Sequence, residues 1–379
     1  MDDKGPKELV DHGFDSDFSP ERIKAFCDIF TPVDVVQEYV YSIHDDDNTL
    51  DMKRGEFYPE ILRSIASYKR AIANAYDVQP VQCHPNFGCN GCIDTIQIAM
   101  KLREVKRNID PDKEGGMLVA TPTYFRNYNS STSKDIRMLK VPLLMPDWSV
   151  NLDTFLEKLK TVHPTVVFLV TPNNPTGIAI PDDIIISIIE NAPDDVLVVM
   201  DRTLVNITSE VSTKVLINRF PDKQLAIMHS LSKYVGMSHL RSGFTIYSNE
   251  ELAEEIRPLL PLGLGVEGAI KATLLLNAYG PLMPSEQVIN NIKISKRILE
   301  SYCNEYGRFS CTNFVGNYCL LILPDDISSQ QLVNDLEDIG IYIMGGHSFP
   351  EPRNDVVRFH MGGKPEYMAR TVEALNRLY

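Results

Sequence analysis

The sequence predicts an α/β fold in which a mainly parallel central sheet fills a large domain and a smaller α+β domain follows it. Between residues 117 and 247, short apolar runs typical of buried strands alternate with segments of helical spacing. This alternation is typical of a parallel sheet that is covered by helices on both faces. A stretch rich in proline and glycine at residues 257–265 then indicates a domain boundary, which we place between residues 258 and 259.

The first part of the chain is predicted to be helical. We expect one helix over residues 20–30, with Ser19 as its N-cap, and a second over residues 33–43. Helical spacing of apolar residues resumes at Ile61. Residues 84–100 have the pattern of a glycine-containing loop that opens a helix, and the backbone N–H groups at such a helix start can bind a phosphate.

The remaining elements follow from the same two periodicities. Strands of the large sheet are predicted at residues 117–120, 137–141, 166–170, 196–200, 225–228 and 244–247, with helices at 152–159 and 182–189. For the C-terminal domain, we predict helices at residues 268–278, 284–306 and 365–378 and strands at 318–323, 341–343 and 356–359.

Composition excludes several classes of function. The chain of 379 residues is 44% apolar and carries a formal net charge of -14, which argues against nucleic acid and anionic membranes as partners. No apolar run approaches the roughly 20 residues of a membrane span. The acidic, polar N-terminus does not have the pattern of a signal peptide, and seven cysteines without framework spacing favour a reducing compartment. We therefore expect a cytoplasmic protein.

Polar residues directly follow three of the predicted strands. They are the Asn-Pro-Thr-Gly segment within residues 171–177, then Asp201, then Lys233 in a small polar loop. Because parallel strands end at one edge of a sheet, where ligands bind, we expect Asn174, Asp201 and Lys233 to lie together there. A lysine that is partly desolvated at such a place has a lowered pKa and can act as a nucleophile. Each residue alone also fits a surface loop or a turn, so the prediction of a shared site depends on the order in which the three occur.

With Arg241 after Lys233, this order resembles the fold-type I pyridoxal-phosphate (PLP) enzymes, in the class I/II aminotransferase family. The resemblance runs from about Tyr58 to Arg358 and is closest to the histidinol-phosphate aminotransferase-like branch. It implies the PLP-transferase fold type I and an aminotransferase that moves an amino group between an L-amino acid and a 2-oxo acid through an imine of PLP on Lys233. It also implies a homodimer with shared active sites. The domains would be residues 1–54, which join the small domain, 55–258 and 259–379.

The resemblance also implies a role for each matching position. Lys233 would be the catalytic amine, Asp201 would keep the pyridine nitrogen protonated, and Arg358 would bind the substrate α-carboxylate. Cys89, Asn90 and Gly91 would form the phosphate cradle, with Ser230 and Arg241 as the phosphate ligands on either side of the lysine. Tyr124 would stack on the ring, and Asn174 would bond to the ring oxygen. Tyr58 would reach the phosphate of the neighbouring subunit. No metal is implied.

Two departures from the family pattern bear on the chemistry. The family has Asp-x-Ala-Tyr where this chain has Asp201 to Leu204, so the tyrosine that donates to the phenolate oxygen of the ring is missing. We expect the imine to stay protonated to higher pH than in a Leu204→Tyr variant, unless Thr203 or a tyrosine from elsewhere supplies that bond. The N-terminal Asn-Glu-Asn-Pro-Tyr signature of histidinol-phosphate aminotransferases is also absent, which leaves the substrate open. Arg126 is a candidate contact, and acidic N-terminal residues favour a polar or cationic amino acid.

Three alternatives compete with this interpretation. Cys83, His84, Cys89 and Cys92 could hold zinc, although zinc sites normally use two separated pairs of ligands. A PLP-fold domain of a transcriptional regulator would need a basic DNA-binding module, but only about 55 residues precede the core, and that segment is acidic in composition. Within the fold, the same lysine, aspartate and arginine also serve lyases, decarboxylases, cyclases and oxidases.

Overall fold

The fold is taken from a computed structural model, which describes residues 58–110, 113–234, 238–261, 265–280 and 286–379. The helices predicted at residues 20–30 and 33–43 lie outside these ranges. The N-terminal part of the described chain contains α1 (Tyr58–Tyr76), β1 (Cys83–Phe87), α2 (Gly88–Arg107), β2 (Met117–Thr121), α3 (Phe125–Ser133), β3 (Met138–Pro142), α4 (Leu152–Val162), β4 (Val166–Val170), α5 (Asp182–Asn191), β5 (Leu197–Asp201), α6 (Thr213–Arg219), β6 (Leu225–Ser230), α7 (Leu231–Tyr234), β7 (Ser242–Tyr247), α8 (Glu250–Ile256) and α9 (Val266–Tyr279).

These strands form a seven-stranded sheet in the order β1-β7-β6-β5-β4-β2-β3. The pairs from β3 through β6 are parallel, and β7 runs antiparallel to both of its neighbours. The predicted mainly parallel α/β sheet is therefore confirmed. The register pairs Val170 with Asp201 and Asp201 with Met228, so β4, β5 and β6 end at the same edge of the sheet. That edge carries the candidate site.

The central strands are apolar on both faces because both faces are covered by helices. Alternate residues of β4 and β5 face opposite cores: Val167 and Val198 pack with α1, α4, α5 and α9, whereas Phe168 and Val199 pack with α2 and α8. Each of these side chains is fully buried, which stabilises the fold by about 1.5–3 kcal/mol per residue. Polar side chains cap several of the covering helices; for example, the Asn151 side chain accepts a hydrogen bond from the backbone N–H of Thr154 at the start of α4.

The C-terminal part forms a second, antiparallel sheet in the order β10-β11-β9-β8. Its elements are α10 (Glu286–Tyr306), β8 (Ser310–Cys311), β9 (Tyr318–Ile322), α11 (Ser329–Glu337), β10 (Met344–Gly345), β11 (Val356–His360) and α12 (Pro365–Leu378). α10, α11 and α12 pack on it around a separate core. The division into domains at residues 54 and 258 stays a prediction; α9, which follows the second boundary, packs in the core of the large sheet.

Two predictions of local structure are wrong. Residues 84–87 are not a loop but part of β1, an edge strand paired only with β7. Its polar His84 and Asn86 hide the alternation of a strand, and an edge position tolerates Pro85. Residues 341–343 are not a strand, because the backbone N–H of Ile341 bonds to the carbonyl of Leu336 and closes the end of α11. The observed strand, β10, begins at Met344, directly after the predicted range.

Within the described residues, no helix combines the length and the apolar composition that a membrane-spanning segment requires.

Candidate active site

The carboxyl ends of the parallel strands carry most of the predicted site residues. Asp201 is the last residue of β5, Ser230 is the last residue of β6, and Lys233 follows on the short helix α7. Asn174 lies in the segment after β4, and Tyr124 lies after β2. This placement follows from the parallel register and agrees with the general position of ligand sites in open α/β sheets.

Asp201 is a buried acid held by three hydrogen bonds. Its side chain is 3% exposed, and it accepts bonds from the Cys89 thiol at 3.1 Å and the Thr203 backbone N–H at 2.9 Å. The Thr203 hydroxyl donates to the same carboxylate. Burial raises the pKa of Asp201, and these hydrogen bonds offset only part of that rise. The site therefore favours a positively charged partner for this carboxylate.

A cradle for an anion lies at the start of α2, a helix of 20 residues. Gly88 has a φ of +61°, and a Cβ atom built on it would lie 3.2 Å from Nη2 of Arg241. Gly243 pairs with Ser230 across β6 and β7 and lies so close to Gly88 that its own Cβ would meet the Gly88 backbone at 2.7 Å. The helix start, the guanidinium and Ser230 thus converge where side chains are absent, which is how phosphate sites are built.

Beside the helix start lies a cavity of roughly 370 Å³, whose walls include Asn90, Gly91 and Arg241 but neither Lys233 nor Asp201. Gly91 is also sterically required, because a Cβ there would lie 2.2 Å from Oδ1 of Asn86. Asn86 fixes the end of β1 by accepting a hydrogen bond from the backbone N–H of Phe87 at 2.8 Å. The predicted positions at the helix start are therefore brought together with Arg241.

A second cluster surrounds Lys233. Nζ of Lys233 lies 5.7 Å from the ring centroid of Tyr318 on β9, and the Arg358 guanidinium lies 4.3 Å from the same ring. Nη1 of Arg358 donates to Oδ1 of Asn174 at 2.8 Å. The half-buried His360 meets Tyr318 edge-on, and desolvation lowers the pKa of His360 to about 3, so this imidazole is neutral at physiological pH. The two sheets meet here.

Tyr124 connects the two clusters. Its hydroxyl donates to Oδ1 of Asn90 at 3.2 Å, which ties it to the helix start. Burial raises the pKa of Tyr124, and the nearby Cys89, Asp201 and Tyr318 raise it further. Tyr124 therefore interacts electrostatically with both Asp201 and Tyr318, and the two clusters form a single site.

Three other residues singled out in the sequence are Tyr58, Arg126 and Leu204. Tyr58 is the first residue of α1, and its side chain lies outside the described part of the structure. Arg126 forms an ion pair with Asp94 at 3.1 Å, and Lys134 pairs with the same carboxylate at 2.8 Å. Leu204 is buried. Sequence reasoning did not assign a role to Tyr318, although its strand was predicted.

The four cysteine and histidine residues proposed as a zinc site have separate partners. The Cys83 thiol donates to the carbonyl of Gln79 at 3.6 Å, while the Cys89 thiol donates to Asp201. His84 packs edge-on against Tyr247. No group of three or more potential metal ligands occurs in the part of the chain that the structure describes.

Comparisons with known proteins agree with this geometry. Residues 32–375 match the family described as aminotransferase class I and II. The histidinol-phosphate aminotransferase of Vibrio cholerae serotype O1 is 27% identical over 310 residues, which cover 82% of this chain and 83% of the relative.

Two solved structures share the fold. The histidinol-phosphate aminotransferase of Clostridium acetobutylicum superposes with a TM-score of 0.69 at 18% identity, covering 84% of this chain and 92% of that one. That of Sinorhizobium meliloti, in complex with pyridoxal-5'-phosphate, gives 0.64 at 19% identity, covering 85% and 88%.

The site fits PLP on its own evidence. A buried carboxylate whose pKa is raised by burial suits a protonated pyridine nitrogen, and the Gly88 cradle beside Arg241 suits a phosphate. Lys233 supplies an amine at the end of a strand of the same sheet. With nearly the whole sequence matched, the chain belongs to the class I and II aminotransferases and is a PLP-dependent aminotransferase.

Proposed function

We propose that Lys233 is the residue to which PLP attaches, and that the enzyme transfers an amino group between an L-amino acid and a 2-oxo acid at this site. One observation carries the proposal: at the sheet edge that holds Lys233, Asp201 is buried with only a thiol, a hydroxyl and a backbone N–H as its partners within the described chain. An acid kept in this state is poised for a cationic partner, and a protonated pyridine ring provides one.

Each further residue has a definite task. PLP supplies an electron-accepting ring that the protein itself lacks. The amine of Lys233 would attach the cofactor and then carry the proton that moves during transfer. Arg241, Ser230 and the backbone N–H groups at the start of α2 would hold the phosphate, with Cys89, Asn90 and Gly91 as the helix-start positions. The ring of Tyr124 would stack on the cofactor.

Arg358 would bind the acidic group of the substrate, and Asn174, which it contacts, would bond to the ring oxygen of the cofactor. Only Nη1 of Arg358 is used in the hydrogen bond to Asn174, which leaves other N–H groups of the planar fork for a carboxylate. The relatives are named for histidinol phosphate, whose acidic group is a phosphate. A guanidinium binds either anion, so the donor panel must contain both L-amino acids and L-histidinol phosphate.

We also propose a homodimer with shared sites and a cytoplasmic location. Tyr58, which matches the family tyrosine that reaches the neighbouring subunit, supports the first, and the odd number of cysteines supports the second. The three-part division at residues 54 and 258 belongs to the same proposal. Light scattering of the purified protein would test the dimer, which a monomer at micromolar concentration would contradict.

Chemical trapping tests the site directly. Borohydride reduction of the PLP-loaded protein, followed by peptide mapping, should place the pyridoxyl group on Lys233. The same preparation should convert at least one donor of the panel to its oxo product while a 2-oxo acid is aminated. A label on another lysine would contradict the assignment of Lys233. Release of carbon dioxide or of a side-chain fragment without amination would favour a lyase or decarboxylase instead.

A further inference from the structure

Position 204 lacks the tyrosine hydroxyl of the family pattern, and the site contains another tyrosine hydroxyl that can replace it. Position 204 carries a buried leucine, which offers no proton to the ring oxygen of a cofactor. The neighbouring hydroxyl of Thr203 donates to Asp201. In PLP the pyridine nitrogen and the phenolate oxygen lie on different sides of the ring, so a proton committed to Asp201 does not serve the oxygen.

Tyr318 places a phenol beside the amine of Lys233. It is 6% exposed, its ring lies 5.7 Å from Nζ of Lys233, and Lys233 is one of the groups that lower the pKa of its hydroxyl. The guanidinium of Arg358 covers the ring at 4.3 Å and fixes its position. The hydroxyl of Tyr124, by contrast, is engaged by Asn90.

We propose that Tyr318 replaces the tyrosine that is missing at position 204, and that its hydroxyl donates to the phenolate oxygen of PLP when the cofactor is attached to Lys233. The inference rests on the proposed role of Lys233. The chemistry of the cofactor provides the link: the carbon that bonds the lysine nitrogen is attached to the ring next to the carbon that carries the oxygen. A phenol whose ring lies 5.7 Å from the lysine nitrogen is therefore also near the oxygen.

The charges around Tyr318 agree with this role. Burial opposes ionisation of the phenol, but the cations of Lys233 and Arg358 outweigh burial, and the net result is a pKa below the ordinary value. Burial lowers the pKa of His360 to about 3 and raises that of Tyr124, so neither group changes charge between pH 5 and 9. A more acidic phenol is a stronger hydrogen-bond donor, which is what stabilisation of a phenolate oxygen requires.

The test uses Tyr318→Phe, which keeps the ring beneath Arg358 and removes only the hydroxyl. The pH midpoint of the visible absorption band of the PLP-loaded protein is measured in the wild type and the variant. We expect the midpoint to rise by about one pH unit or more, because the oxygen that loses its donor becomes more basic and holds the shared proton more tightly. Tyr68→Phe is the matched control, since it removes another buried tyrosine hydroxyl, one that accepts a hydrogen bond from Ser242.

A second measurement does not need the cofactor. Ultraviolet difference titration of the cofactor-free protein should show one tyrosine that ionises below the others, and this step should be absent in Tyr318→Phe but present in Tyr68→Phe. An unchanged or lowered midpoint in Tyr318→Phe, with the pyridoxyl label on Lys233, would overturn this inference alone. A label elsewhere, or no uptake of PLP, would overturn the proposed site as well.

Discussion

Substitution of Gly88 tests the phosphate cradle with a control that the chain itself provides. In Gly88→Ala, the new methyl group would occupy the space 3.2 Å in front of the Arg241 guanidinium, where an anion would bind. The backbone at Gly88 has a φ of +61°, so alanine also costs about 1–2 kcal/mol of stability. Gly307 has a φ of +65° and no heavy atom within 4 Å of its built Cβ. Gly307→Ala therefore carries the same backbone cost without filling a site.

The two variants should separate stability from binding. Both should unfold at similar, lowered temperatures. Only Gly88→Ala should bind PLP more weakly, by roughly 10- to 100-fold, because a charge-assisted hydrogen bond to phosphate contributes about 1.5–3 kcal/mol. Titration of cofactor-free protein with PLP, followed by its visible absorbance, measures the affinity. If Gly88→Ala binds PLP as tightly as Gly307→Ala, the phosphate is held elsewhere and the cradle is only a turn.

Three further variants test the remaining roles. In Asp201→Asn, the cofactor-free protein should unfold at a higher temperature than the wild type at neutral pH. Burial raises the pKa of Asp201, so the stability that its protonated form contributes is present in acid and is lost as pH rises through the folded pKa. Calorimetry should therefore show the difference in unfolding temperature between variant and wild type vanish below about pH 4. The affinity of the variant for PLP should be lower than that of the wild type. Lys233→Ala should retain PLP without a covalent link but lose turnover, which dialysis and a single-turnover assay would show; normal turnover would exclude Lys233 as the catalytic amine. Arg358→Ala should lose up to about a thousandfold in kcat/KM at nearly unchanged PLP content, and normal substrate use would make Arg358 structural.

Much of the large sheet could be predicted because its strands are apolar on both faces. β4 was predicted with its observed bounds, and β5 and β6 within two residues, since such runs have few other solutions. β1 could not be predicted in this way. It carries His84, Pro85 and Asn86, and it becomes a strand only through its antiparallel partner β7, a contact distant in sequence.

In the candidate site, too, placements within one sheet could be predicted, whereas contacts between the two sheets could not. Asn174, Asp201 and Lys233 could be placed together from sequence, since each follows a strand of one parallel sheet. The bond between Asn174 and Arg358 could not, because it joins the two sheets. The same is true of Tyr318, whose neighbours depend on how β9 packs against α7.

The position of Tyr318, on the strand next to the one that carries Arg358, links substrate binding to the cofactor. Tyr318 and Arg358 lie on adjacent strands, β9 and β11, and the guanidinium is one of two cations that lower the pKa of the phenol. A substrate carboxylate bound to Arg358 would offset that cation, so the pKa of Tyr318 would rise and its proton would be held more firmly. A tyrosine at position 204, next to Asp201, would not share a strand pair with the carboxylate clamp. On this assignment, the charge of the bound substrate and the protonation of the cofactor are linked through one side chain.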